Sequence, residues 1–120
     1  MANAIFSEPG LYEGVVKRFA DRPYVVIHRG FLPESLEQNS PERISLLHLD
    51  LGSGVNSTKP EIACLELLFD RIVPGGMVVF DDYGWRTYGQ QKAAQDSFFA
   101  ERGYKILELP TGQGLLVKRA

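Results

Sequence analysis

Asp50, Asp81 and Asp82 are the residues whose type and spacing offer the most chemistry. Each acidic position closes a short apolar run, Asp50 after ISLLHL (44–49) and Asp81-Asp82 after MVVF (77–80). In open α/β sheets, ligands bind beyond the carboxyl ends of the strands. Neighbouring strands lie about 5 Å apart. If the two runs are adjacent strands, three carboxylates converge on one small volume. Like charges that close repel and raise one another's pKa. A hard divalent cation with oxygen ligands relieves that repulsion. Mg²⁺ is the natural candidate, and it would also orient the oxygens of a substrate diol or alkoxide. The plainer alternative is that these acids cap the following helices and face water.

A second signal competes with the first. Asp50-Leu51-Gly52-Ser53-Gly54 has the form of a glycine-rich nucleotide-binding loop, but Asn56 and Ser57 stand where a third glycine belongs. A lone GxG pair is weak evidence. His28 and His48 are the only imidazoles. His48 lies inside an apolar run and is expected to be a hydrogen-bonded core residue. His28 ends an earlier apolar run and either faces the cleft or does not. Cys64 sits among apolar residues and is expected to be structural. Tyr83 and Trp85, which follow the double aspartate, either line a substrate pocket or pack over the sheet edge.

The elements that position these residues are readable from periodicity. Leu11, Val15 and Phe19 recur at helical spacing, with Ser7 as candidate cap, Pro9 in the first turn and Arg22-Pro23 as the stop. Tyr24–Ile27 is short, apolar and β-branched and predicts a buried strand. Residues 29–43 read mostly as loop, and Ile44–Leu49 as a second strand. Gly52–Ser57 predicts a loop, and Thr58-Lys59-Pro60-Glu61 has the form of a capping box. The helix behind it carries Ile62, Leu65, Leu68/Phe69 and Ile72 on one face, with Glu61 and Glu66 on the polar side, and ends at Pro74-Gly75-Gly76. Met77–Phe80 predicts a third strand. A helix over Tyr88–Arg102 follows, with Ala93, Ala94 and Phe98 inward and Gly103 as stop. Tyr104–Leu109 and Leu115–Val117, joined by the turn PTGQG, predict an antiparallel hairpin, because the link is too short for a parallel crossover. The order α-β-β-α-β-α-β-β, with continuous apolar strands, indicates an α/β protein with a mostly parallel sheet.

Composition bounds the function classes. The chain has 120 residues, the size of one domain, and reads as a single domain over 1–120. Its 13 basic and 15 acidic residues give a net charge of −2, which argues against a strongly basic nucleic-acid binder. No apolar run reaches membrane-spanning length, and the N-terminus MANAIFSEPG shows no signal-peptide pattern. The single cysteine fits a reducing compartment, so a cytoplasmic protein is expected.

Several segments together resemble a family. HLD (48–50), Ser57-Thr58 opening a helix with LELL (65–68), and above all VPGGMVVFDDYG (73–84) are similar to the macrocin O-methyltransferase (TylF/MycF-like) group. QKAAQDSFF (91–99), LPTGQGLLVKR (109–119) and, upstream, VIHRGFLPESL (26–36) extend the similarity from about Leu11 to the end. The group consists of class I S-adenosylmethionine-dependent methyltransferases, so the resemblance implies a Rossmann-like methyltransferase fold. It further implies Mg²⁺ bound by Asp50, Asp81 and Asp82, with Asp50 also helping to take a proton from the hydroxyl of a sugar or other small molecule. Gly30 and Phe31 match a cofactor-binding segment near the adenine, and Tyr83 and Trp85 fall at the substrate side. The family pattern after its fourth strand is D-x-D-x-Y-x-S/P-T, whereas this chain reads DLGSGVNST, without the second acid and the tyrosine.

The family's sheet order is 3-2-1-4-5-7-6, and nothing before residue 24 matches its first two strands, which carry the glycine-rich loop and the ribose-binding acid. The expectation is therefore a fold truncated at its N-terminus, lacking the cofactor-binding half. ISLLHL would then have an exposed edge free of gatekeeping charges, which predicts edge pairing in a homodimer or a shift of Tyr24–Ile27 beside it. The leading expectation is an Mg²⁺-assisted O-methyltransferase-like protein using S-adenosylmethionine. A non-enzymatic, dimeric interaction module and a minimal nucleotide-binding domain remain as alternatives.

Overall fold

The computed structural model describes residues 9–52, 55–85 and 89–120, and the chain divides into two compact units, Met1–Phe31 and Leu32–Ala120.

In the first unit, helix α1 spans Leu11–Arg18, as the apolar spacing predicts. It starts behind Gly10, whose φ of 86° is a left-handed conformation open to glycine, and no side chain caps it. The expected cap Ser7 lies outside the described residues. Tyr24–Ile27 is not a strand. Arg22-Pro23 opens a turn closed by the Val25 N–H on the Arg22 carbonyl at 3.0 Å, and the run leaves Tyr24 75% and Val26 71% exposed. A β-branched run forms a strand only where a ladder and a covered face receive it. Val25 and Ile27 are partly buried, but no ladder partner for the run is present among the described residues, so the expected first strand is corrected to irregular chain.

The second unit holds α2 (Leu36–Asn39), β1 (Ile44–Leu49), α3 (Val55–Leu68), a single 3-10 turn (Phe69–Arg71), β2 (Ile72–Phe80), α4 (Gly89–Ala100), β3 (Leu107–Glu108) and β4 (Gly114–Val117). The four strands form one sheet in the order β1-β2-β4-β3. Only β1 and β2 are parallel; β2–β4 and β3–β4 are antiparallel. The sheet is thus mixed rather than mostly parallel, because the terminal hairpin contributes two antiparallel pairings and Tyr24–Ile27 contributes none. The short PTGQG link produces the expected hairpin, with Leu107 opposite Leu115 and Glu108 opposite Gly114.

Several boundaries differ from expectation: the helix expected to run to Pro74 ends at Leu68, with Ile72 in the next strand, and the strand expected over Tyr104–Leu109 is only Leu107–Glu108. α3 begins at Val55, so Thr58 and Pro60 lie within the helix and do not open it. β2 runs back through Pro74-Gly75-Gly76 to Ile72, with a register shift against β1 between the pairs Ile44↔Ile72 and Leu46↔Met77. The PGG segment bulges there and is held by the terminal strand: Gly75 N–H donates to the Lys118 carbonyl and Lys118 N–H to that of Gly76. Gly76 is needed for close approach, because a Cβ would sit 2.6 Å from Ile72 Cγ2 and 2.8 Å from the Val73 carbonyl oxygen.

The core lies between α3, α4 and one face of the sheet. It joins Leu65, Leu68 and Phe69 with Ile72, Val78, Phe80, Phe98, Phe99, Ile106 and Leu116. Phe69, Phe80, Phe98, Phe99 and Tyr104 meet edge to face, the arrangement that aligns ring edges with ring faces. Phe98 faces inward as expected, Ala94 is partly buried and Ala93 is exposed; α4 also buries Gln91, Gln95 and Phe99. The opposite sheet face carries a row of apolar side chains in register, Leu46, Met77 and Val117, which are 55%, 40% and 51% exposed.

Candidate functional site

Strand register builds the site. Leu49 pairs with Phe80 and Phe80 with Gly114, so Asp50, Asp81 and Gln113 fall in one row across β1, β2 and β4. The Asp81 N–H donates to the Leu49 carbonyl at 3.1 Å and holds the two strand ends together. As a result, Asp50, Asp81 and Asp82 each offer a carboxylate oxygen within 4.8 Å of the others. Asp50 is exposed, and Asp81 and Asp82 are partly buried. The convergence expected from the two strand-end acids is present in the geometry.

The three carboxylates differ in their surroundings. Asp82 has its pKa raised, first by desolvation and then by the charges of Asp81 and Asp50. Asp81 is held below the usual carboxylate range, chiefly by the hydrogen bond from Gln113 and also by His48. Gln113 Nε2 donates to Asp81 Oδ1 at 3.0 Å, and His48 Nε2 lies 3.2 Å from the same oxygen. Three carboxylate oxygens within 4.8 Å of one another fit a small divalent cation preferring oxygen ligands, which would offset the repulsion that Asp81 and Asp50 add to the desolvation of Asp82.

His48 corrects the expectation of a core histidine. Its side chain is 49% exposed and lies beside Asp81, because side chains alternate along β1 beyond the irregularity at Ile44/Leu46: Leu47 and Leu49 turn inward, and Leu46 and His48 turn to the other face. The sequence signal was available, since His48 stands two residues before Asp50 on the same strand. Gln113 was not legible in advance, because its place depends on the β2–β4 register.

Tyr83 is 4% exposed, its ring near Phe80 and its hydroxyl donating to Asp96 Oδ1 at 2.5 Å, while Lys92 Nζ donates to that hydroxyl at 3.0 Å. Trp85 is 58% exposed and lies against Gly112, where a Cβ would come within 2.7 Å of the indole nitrogen. Gly30 and Phe31 belong to the first unit; Phe31 is 78% exposed. His28 is exposed in that unit. Gly52 adopts φ 87°, and Gly54 lies outside the described residues. Cys64 is fully buried, and burial pushes its thiol pKa up to about 11, consistent with an inert structural thiol.

A buried polar cluster between α3 and α4 escaped the sequence reading. Glu61, expected on the polar face of its helix, is 1% exposed and accepts hydrogen bonds from both Gln91 Nε2 and Gln95 Nε2. Burial, with a smaller contribution from the Asp82 charge, raises its pKa to about 7. The Oε1 atoms of both glutamines and the Thr58 hydroxyl are buried without a partner among the described residues.

Compared with known proteins, the chain matches the family described as Macrocin-O-methyltransferase (TylF) over residues 16–106. No curated protein matches it.

Proposed function

Because the chain belongs to the macrocin-O-methyltransferase family, we propose that its strand-end acids serve methyl transfer to a hydroxyl group of a sugar or other small molecule. The observation that carries this reading is the convergence of Asp50, Asp81 and Asp82 within 4.8 Å. The strand order β1-β2-β4-β3 supports it too, since it corresponds to the 4-5-7-6 half of a methyltransferase sheet.

Mg²⁺ held by these three residues would supply Lewis-acid polarisation and orientation of the acceptor hydroxyl. Asp50, the exposed member, would accept the proton of the acceptor hydroxyl, and a bound sulfonium donor would supply the methyl group. Asp81 and Asp82 would hold the ion beside it. Trp85 offers an exposed aromatic face at the rim, suited to the apolar side of a sugar ring. S-adenosylmethionine is the proposed methyl donor. Phe31 gives a free ring for a purine to stack on, and Gly30 beside it leaves the backbone accessible. These two residues suit the adenine and provide no charge for the ribose or the amino-acid end.

The test is transfer of labelled methyl from S-adenosylmethionine to a panel of hydroxylated acceptors, with and without Mg²⁺. Mg²⁺-dependent labelling that Asp50→Asn abolishes is expected. No labelling of any acceptor, together with no binding of the donor, would overturn catalysis by this chain.

A second reading is favoured by the exposed apolar row Leu46, Met77 and Val117 and by the terminal position of β1 in the sheet. Such a surface suits pairing of two copies, as a homodimeric interaction module or as the dimeric form of the enzyme.

A further inference from the structure

We propose that His48 and Gln113 are positioning residues that hold Asp81 Oδ1 from two sides and so commit Asp81 Oδ2 to a divalent cation. The inference rests on the metal reading of the three acids and adds to it the groups that orient one ligand.

Both contacts converge on one atom. His48 Nε2 approaches Asp81 Oδ1 at 3.2 Å from β1, and Gln113 Nε2 donates to it at 3.0 Å from the start of β4. An ionised carboxylate is acceptor-only, so each contact is a hydrogen bond when its nitrogen carries the hydrogen toward Asp81. The Gln113 amide is itself oriented. Thr111 Oγ1 donates to Gln113 Oε1 at 3.1 Å, leaving Nε2 for Asp81, and the Gln113 N–H returns to Thr111 Oγ1 at 3.4 Å. The hairpin turn locks this arrangement, with the Leu109 N–H on the Gln113 carbonyl at 2.8 Å and the Gly112 N–H on the Leu109 carbonyl at 3.0 Å. A chain of donors thus runs from Thr111 through Gln113 to Asp81, met by His48 from the other side. Asp82 and Asp50 have no such support among the described hydrogen bonds, so Asp81 is the fixed member around which the other two adjust. Groups that orient a metal ligand usually govern affinity strongly without touching the ion.

The experiment is calorimetric titration of the full chain with MgCl₂, comparing wild type with His48→Leu, Gln113→Leu, His48→Gln and Asp81→Asn. Each leucine variant is expected to weaken Mg²⁺ binding by about 10- to 100-fold while melting at the wild-type temperature without Mg²⁺. His48→Gln keeps a donor at that place and should recover most of the affinity. If wild type binds and Asp81→Asn does not, while both leucine variants bind within about twofold of wild type, the positioning role is overturned and the metal reading stands. If wild type shows no saturable binding, the metal reading fails and takes this inference with it. Should a leucine variant not fold, Thr111→Val carries the test, since it removes only the hydroxyl that orients Gln113. It should weaken binding several-fold, and unchanged binding would overturn the role.

Discussion

Glu61 shows what burial does to a single residue. Its carboxyl is enclosed by α3 and α4, and its pKa rises from 4.5 to about 7. A carboxyl raised on folding favours its neutral form, so the folded chain holds a proton that the unfolded chain has released. Its stabilising contribution is complete below pH 4.5 and is lost as the pH rises through about 7. The loss amounts to at most about 3 kcal/mol, a figure set by the size of the shift. Glu61→Gln should remove this slope: melting followed from pH 5 to 8 falls less steeply in the variant, which is the more stable above neutrality. Equal slopes would show that Glu61 ionises freely in the folded chain. The unpartnered Oε1 atoms of Gln91 and Gln95 give the new amide acceptors after a small rotation.

The strand-end acids permit a prediction of opposite sign. Asp50 contributes repulsion that raises the Asp82 pKa, so Asp50→Asn should stabilise the metal-free chain by a few tenths to about 1 kcal/mol. In saturating Mg²⁺ the same substitution should instead lower the melting temperature relative to wild type, because a ligand has been lost. A variant less stable in both conditions would mean that Asp50 serves folding alone. At this scale the acids were legible because each closes an apolar run. Glu61 was not, since its i+3 place after Thr58 imitates a capping box, and burial depends on where α4 lies.

Elements decide whether these residues meet. The β1–β2–β4 register brings Asp50, Asp81 and Gln113 into line, and the 109–114 turn presents Gln113. Gly112 makes that turn with φ 88° and lies beneath the Trp85 indole. Gly112→Ala introduces strain at positive φ and a clash with the indole, so it should cost about 1–3 kcal/mol and weaken Mg²⁺ binding as well. Thermal melting and calorimetry of the variant check both effects; unchanged values would remove the turn from the account. β1, α4 and the hairpin were readable from periodicity and stop signals, and α3 from periodicity alone, since both its ends differ from the signals. Tyr24–Ile27 misled because a β-branched run states a preference that only a neighbouring strand can realise. The PGG stop misled similarly: Lys118, 42 positions beyond Gly76 in the sequence, supplies the hydrogen bonds that keep the segment in the sheet.

At the scale of the molecule, one face of the four-stranded sheet is covered by α3 and α4, and the other shows Leu46, Met77 and Val117 to solvent. Among the described residues β1 is the end strand of the sheet beside that row, an arrangement suited to the proposed pairing of two copies. Sedimentation should therefore report a dimer at micromolar concentration, and Leu46→Glu should shift it to monomer. A wild-type chain sedimenting at its 13.4 kDa monomer mass would contradict dimerisation. No described helix is long and apolar enough to cross a membrane. Family membership was legible in PGGMVVFDDYG, because a bulged strand ending in paired acids is a compact local signature. Sheet composition was not, because it depends on pairings between distant segments.

The central claim is that Asp50, Asp81 and Asp82 form one divalent-cation site. Its most direct test is amide-resolved NMR of the full chain during addition of substoichiometric Mn²⁺, a paramagnetic substitute for Mg²⁺. Signals of Asp50, Leu51, Asp81, Asp82 and Gln113 should broaden first, and excess Mg²⁺ should restore them. Broadening spread over all acidic side chains, or none at these five residues, would contradict the site.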